Sequence, residues 1–160
     1  MKNETKVNDT TLLKGHIKIE LKDEKGNIIQ VVEKDNTFMA VGDAHVADQL
    51  DATPAEAKMG WLSVGSGDTP FTTASTTLND EIDRNALTAG YPEQGTAGDD
   101  NDVKYKASWA AGDATGALTE AGIFNSSVAG TMLAASTFAV INKGASDTLT
   151  ITWTVTCGAS

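Results

Sequence analysis

The sequence is poor in the residues that carry covalent and metal chemistry. It has one cysteine, Cys157, and two histidines, His16 and His45. A lone thiol cannot close an internal disulfide, so nothing points to an oxidising compartment, and Cys157 reads as a small buried or terminal thiol. Neither histidine has another histidine or a cysteine at ligand spacing. That argues against a zinc site and leaves both as exposed or capped imidazoles. Basic residues are few, 12 against 22 acidic ones, for a formal net charge of -10. A surface this acidic repels phosphates, so no nucleic-acid partner is expected. No apolar run approaches the roughly 18 residues of a membrane span, so no membrane partner is expected either. The polar opening "MKNETKVNDTT" lacks the apolar core of a signal peptide. Residues 1–11 are expected to form a flexible arm and residues 12–160 a single domain.

What the sequence does hold is alternation. Proline is scarce (3), glycine is frequent (15), and threonine, serine and alanine abound, a turn-rich β composition. A chain of 160 residues can bury about 70% of its unfolded surface without disulfides or metal. The clearest rhythm closes it. In "DTLTITWTVTCG", Leu149, Ile151, Trp153 and Val155 fall on one parity and Thr148, Thr150, Thr152, Thr154 and Thr156 on the other. That period predicts a core strand. "GHIKIELKDEKGNIIQVV" predicts a hairpin: Ile17, Ile19 and Leu21 alternate with polar residues, Asp23 to Asn27 form a turn with Gly26 at positive φ, and Ile28 to Val32 return as a more continuously apolar strand. Further strands are predicted over Trp61–Val64, over Val103–Trp109, and on either side of a turn at Asn125–Gly130. Residues 90–102 read as a long loop. One short helix, about residues 39–51, is predicted from Met39, Val46 and Leu50 with Gly42 and Ala47, ended by Pro54. The fold class is mainly β: an antiparallel β-sandwich or barrel-like sandwich with one short helix.

No constellation for catalysis emerges. "LSVGSG" lacks the Gly-x-Ser-x-Gly spacing of a nucleophile elbow, and Gly65 and Gly67 read instead as turn residues of unusual φ. Asp99, Asp100 and Asp102, with Asn101, could offer oxygens to calcium, but the full twelve-residue loop pattern is absent and a solvated acidic loop reads as well. Glu81 and Asp83 flank Ile82. A carboxylate ion-paired with Arg84 at a bend fits them better than a glycosidase pair. Of the tryptophans, Trp153 lies on the core parity, whereas Trp109, at a strand end, could stack on a sugar.

One order of pieces resembles a known group. "WLSVGSGDTPFTTASTTLNDEIDRNAL" contains Leu78-x-x-Glu81-x-x-Arg84. It is followed by Leu118-x-Glu120-x-Gly122-Ile123-Phe124, then by "GTMLA" and the threonine-rich last strand. In this order, over about residues 12 to 156, the chain resembles small structural proteins of tailed bacteriophages, capsid decoration (cement) proteins among them. Its first half also looks like the N-terminal domain of phage tail-collar fibre proteins. The resemblance implies a non-enzymatic virion protein, made in the host bacterial cytoplasm, without a cofactor or metal. It implies self-association as a homo-oligomer and contact with a major capsid protein or other virion proteins. The structural or interface candidates are Glu81, Arg84, Trp109, Glu120, Phe124 and Trp153. The chain stops four residues after Thr156, too little for a fibre shaft, so a free-standing virion component is expected; capsid decoration proteins and small tail or collar adaptors are both of this size, and a capsid decoration subunit is the first expectation. A tail, collar or tail-fibre adaptor, or a receptor- or carbohydrate-binding module, is the alternative.

Overall fold

A computed structural model of the chain describes residues 11–159. The expected N-terminal arm lies outside them except for Thr11, which opens the first strand. In chain order the elements are β1 (Thr11–Lys22), β2 (Ile28–Asp35), β3 (Thr37–Phe38), α1 (Ala40–Gln49), β4 (Trp61–Gly65), β5 (Glu81–Ala86), β6 (Glu93–Gln94), β7 (Asp102–Trp109), β8 (Gly116–Phe124), β9 (Met132–Lys143) and β10 (Thr148–Ala159). They form two antiparallel five-stranded sheets, β2-β1-β10-β7-β6 and β3-β9-β8-β4-β5. The protein is a β-sandwich with one short helix, as the alternation predicts.

The last strand is central. It pairs with β1 on one side and β7 on the other, so Trp153 stands between Ile17 and Tyr105. Leu149, Ile151, Trp153 and Val155 are buried with Ile17, Ile19 and Leu21 of β1 and Ala107 and Trp109 of β7. Leu62, Val64, Leu118 and Ile123 of the second sheet join the same core. Each such aliphatic side chain contributes about 1.5–3 kcal/mol by leaving water. The indole Nε1 of Trp153 donates to Asn36 Oδ1 at 2.7 Å, which satisfies the one polar atom its burial would orphan. Trp109 is fully buried, so it is a core residue and not an exposed sugar platform.

The first hairpin closes as predicted. Asp23 Oδ1 accepts from the amides of Lys25 and Asn27, at 2.9 and 2.8 Å, and Gly26 takes φ +82. Bonds to Asn27 lead those that hold the Asp23 carboxyl below the usual carboxylate range. At the same end of the sandwich the buried Lys143 donates from Nζ to Ala110 O at 2.9 Å and Asp147 O at 2.8 Å, tying two loops together. Burial pushes its ammonium below the usual lysine range, countered by Asp113 and Asp147.

Three local expectations need correction. The helix turns Gly42, His45 and Val46 inward, while Ala47 is exposed and Leu50 is 83% exposed. The cause is close approach: a Cβ at Gly42 would stand 2.8 Å from Leu133 Cα, so the bare glycine face sets the rotation of α1 on β9. Gly65 and Gly67 do not have positive φ; they are glycines for want of space, as described below. Residues 90–102 are not structureless. Glu93 and Gln94 pair with Lys104 and Val103, Gly95 N donates to Asp102 O at 2.8 Å, and Gln94 Nε2 donates to Asp100 O at 2.7 Å, making a short ribbon.

Candidate functional site

Leu78, Glu81, Arg84, Glu120 and Phe124, among the residues that carry the resemblance, converge on the outer face of the second sheet. A register shift between Leu118 and Glu120 separates two environments in β8. Leu118, Ala121 and Ile123 belong to the inter-sheet core, while Phe124 belongs to a second apolar cluster with Met39, Leu78, Met132 and Ala135. Phe71 and Trp61 pack against that cluster. The segment between β4 and β5 therefore acts as a cover, with Leu78 and Phe71 as its apolar contacts.

Glu120 fastens this cover. Its side chain is fully buried. Oε2 accepts from the backbone N and the Nδ2 of Asn79, at 3.0 and 2.9 Å, and Oε1 accepts from Asp80 N at 2.7 Å. Three donors replace the water a buried carboxylate loses. A Cβ at Gly65 would lie 2.5 Å from Glu120 Oε1, and one at Gly67 would lie 2.8 Å from both carboxylate oxygens. Asp80 O stands closer still to a Cβ at Gly65, and Asn79 Cβ to one at Gly67, so the Gly65-Ser66-Gly67 run is shaped by the cover at Asn79–Asp80 together with a carboxylate more than fifty residues away in sequence. Ser66 Oγ adds a bond to Asp80 Oδ2 at 2.5 Å.

Arg84 fastens the neighbouring turn. Its Nε and Nη2 fork onto Glu81 Oε1 and Oε2 at 2.8 and 2.7 Å. Nη1 reaches Ser126 O at 2.9 Å and Ala129 O at 2.8 Å, inside the β8–β9 turn. The guanidinium lies 3.6 Å from the centroid of the Phe124 ring. Burial alone would raise the Glu81 carboxyl, but bonds from Arg84 and Ser63 and the Arg84 charge outweigh it and hold the carboxyl below its usual range. A planar fork that serves a carboxylate, two carbonyls and an aromatic face at once requires arginine.

A third fastening went unread in the sequence. His45, buried against β9, shares its Nδ1 with Glu56 Oε2 at 2.9 Å, and Asn125 Nδ2 donates to the same oxygen at 3.0 Å. Asp48 accepts from Ala55 N and Glu56 N at 2.9 and 3.0 Å, so the strap after α1 is tied back to the helix at Ala55 and Glu56. These backbone bonds hold the Asp48 carboxyl below its usual range. Beside the strap lies a cavity of about 230 Å³ lined by His45, Leu50, Met59, Pro92 and Tyr105, among others, and its lining holds no serine, threonine or cysteine. Burial pushes the Tyr105 hydroxyl up to about 12, with a further contribution from Cys157. His16 is exposed and meets Asp35 Oδ1 at 3.0 Å.

Among the sequence candidates, Glu81, Arg84, Glu120 and Phe124 come together on one outer layer, whereas Trp109 and Trp153 lie in the central core. Among the described residues no group of three His, Cys, Asp or Glu side chains gathers to hold a metal, the Asp99–Asp102 loop included. No helix among them is long and apolar enough to cross a membrane. No described protein family, curated protein or solved structure matches the chain.

Proposed function

We propose that this chain is a non-enzymatic structural subunit of a bacteriophage virion, a capsid decoration protein acting through protein–protein contacts. The observation that carries the reading is how three of its charges are used. Glu81, Arg84 and Glu120 bond backbone groups and one another to fasten a cover and a turn onto one sheet. An outer layer held this way is a pre-organised surface, which lowers the ordering cost of docking onto a lattice. The net charge of -10 suits the outside of a shell, away from packaged DNA. The proposed partners are further copies of the chain and a major capsid protein, and the proposed location is the virion.

The test uses capsids from the phage that encodes this chain, prepared with its gene deleted. Purified protein is added back, and binding and capsid melting are measured. Saturable binding that raises the capsid melting temperature is the expected result. Binding to tails alone would move the protein to the adaptor reading, and binding to neither would remove it from the virion.

A further inference from the structure

The two sheets differ in what covers them. The second is covered by the segment between β4 and β5 and by α1, which packs on β9. Among the described residues no helix crosses the outer face of the first sheet. There Thr148 is exposed and Thr150, Thr152, Thr154 and Thr156 are half-buried, so the middle of that sheet is open to a partner.

Cross-strand partners share a face, so the register reads this surface row by row. Lys18, Thr152 and Lys106 make one row, and His16, Thr154 and Lys104 the next. Lys14 stands beside Thr156 and Lys22 beside Thr148. Three strands thus carry five lysines on one face. The two carboxylates among them are engaged: Glu20 meets Lys18 at 3.4 Å, and Asp102 Oδ1 accepts from Thr156 Oγ1 at 2.6 Å. Thr150 Oγ1 meets Ser108 Oγ at 3.0 Å. Among the described residues no carboxylate comes within ion-pair distance of Lys14, Lys22, Lys104 or Lys106. The hydroxyls of Thr152 and Thr154 enter no hydrogen bond among them either, in contrast to their neighbours. The lysine rows of β1 and β7 lie about 10 Å apart across β10, and Lys104 and Lys106 about 7 Å apart along β7.

We infer that the outer face of the first sheet docks onto an acidic protein surface, whose carboxylates meet Lys18, Lys104 and Lys106 and the hydroxyls of Thr152 and Thr154. Charge decides the occupant. The whole chain is at -10, yet this strip holds five lysines against two engaged carboxylates, so it is the basic part of an acidic molecule. A carboxylate-rich partner is drawn to it and repelled elsewhere. A second copy docked through the same face across a two-fold axis would set lysine against lysine. A nucleic acid would lay a continuous run of phosphates over the strip and onto the carboxylates that border it, Glu33 and Asp35 on β2 and Glu93 on β6. The discrete carboxylates of a folded partner fit between those borders. Complementary charge of this kind fixes register and speeds encounter. The inference deepens the subunit reading and rests on it for one premise, that the shell is where the partner is found.

The experiment adds the purified full chain to capsids prepared without it, at several salt concentrations. Lys104→Glu/Lys106→Glu should weaken binding about tenfold or more at low salt and flatten its salt dependence, while the free chain melts nearly as wild type does. Lys104→Gln/Lys106→Gln decides the matter if the reversed pair unfolds. Lys25→Glu/Lys34→Glu makes the same change of charge at exposed lysines off the strip and should bind within about twofold of wild type. Wild-type binding by the folded Lys104/Lys106 variants would overturn the docking face and spare the subunit reading, and so would equal losses in the two reversed pairs. If wild type binds no capsid, the subunit reading falls and poly-L-glutamate is the probe. Amide shifts at Thr152, Thr154 and Lys106 that vanish in Lys104→Glu/Lys106→Glu would then uphold the face, and their absence would overturn it. Tighter binding of duplex DNA than of poly-L-glutamate would overturn the acidic protein as its occupant.

Discussion

Arg84 lies over Phe124, its guanidinium 3.6 Å from the ring centroid, while the same group forks onto Glu81 and caps two carbonyls of the turn at 125–130. One side chain thereby joins a strand, a turn and the outer apolar cluster. Arg84→Lys keeps the charge and loses the fork. Hydrogen bonds to charged groups are worth about 1.5–3 kcal/mol each, so the variant should lose about 2 kcal/mol of stability. Urea unfolding checks this, and a midpoint equal to wild type would show the fork to be idle.

The depressed Glu81 carboxyl gives that clamp a pH signature. Its folded value lies below the unfolded one, about 4.3 for glutamate. Its contribution is therefore present above that value and lost as pH falls through the folded value. Wild type should lose stability more steeply below about pH 4 than Glu81→Gln does, measured as melting temperature against pH. Parallel curves would contradict the assignment.

Glu120 and the two glycines beneath it should behave as one unit. Glu120→Gln puts an amide NH₂ where a carboxylate oxygen now accepts, leaving at least one buried donor unpaired at a cost of about 1–3 kcal/mol. Gly67→Ala should cost a comparable amount, about 1–3 kcal/mol, by overpacking. In Gly67→Ala/Glu120→Ala the contact with the carboxylate is removed while that with Asn79 Cβ stays, so the double variant should be less destabilised than the sum of the singles by part of the overpacking cost. Strict additivity in a denaturant double-mutant cycle would show that the carboxylate does not shape that run.

Trp153→Ala empties the centre of the sandwich and should cost roughly 3–5 kcal/mol. Trp153→Phe should cost less, since it keeps a ring but strips Asn36 Oδ1 of its donor. Calorimetric melting separates the two, and a neutral alanine variant would deny β10 its place in the core.

Tyr105 reports on the alkaline side. Its folded value, about 12, lies above the unfolded 10.0. Its stabilising contribution is therefore complete below pH 10.0 and lost as pH rises toward about 12. Wild type should destabilise faster than Tyr105→Phe across that window, and absorbance titration should show one phenol, absent from the variant, ionising near its top. A variant that tracks wild type would place Tyr105 in water.

The parts legible in the sequence are those whose causes are local. The parity of β10 is written in consecutive residues, and the Asp23–Asn27 turn carries its own hydrogen-bond acceptor. The parts misread have distant causes. Gly65 and Gly67 look like turn residues until Asn79, Asp80 and Glu120 are placed against them. The inward face of α1 includes His45 because Gly42 must lie against Leu133, which no helical period reports. The apolar run from Ile28 to Val32 is a strand as predicted, but its place at a sheet edge, which leaves Ile28, Ile29 and Val31 exposed, is set by the topology. Of the candidate site, the Glu81–Arg84 pair was readable from spacing, but its attachment to the turn at 125–130 and to Phe124 exists only in the folded topology.

The central claim, a structural subunit on a virion, is tested most directly by locating the chain. Virions of the encoding phage are labelled with gold-conjugated antibody against the purified protein and viewed by electron microscopy. The account predicts gold distributed over the capsid shell at many sites per particle. Unlabelled particles, from lysates in which the protein is abundant but free, would contradict it.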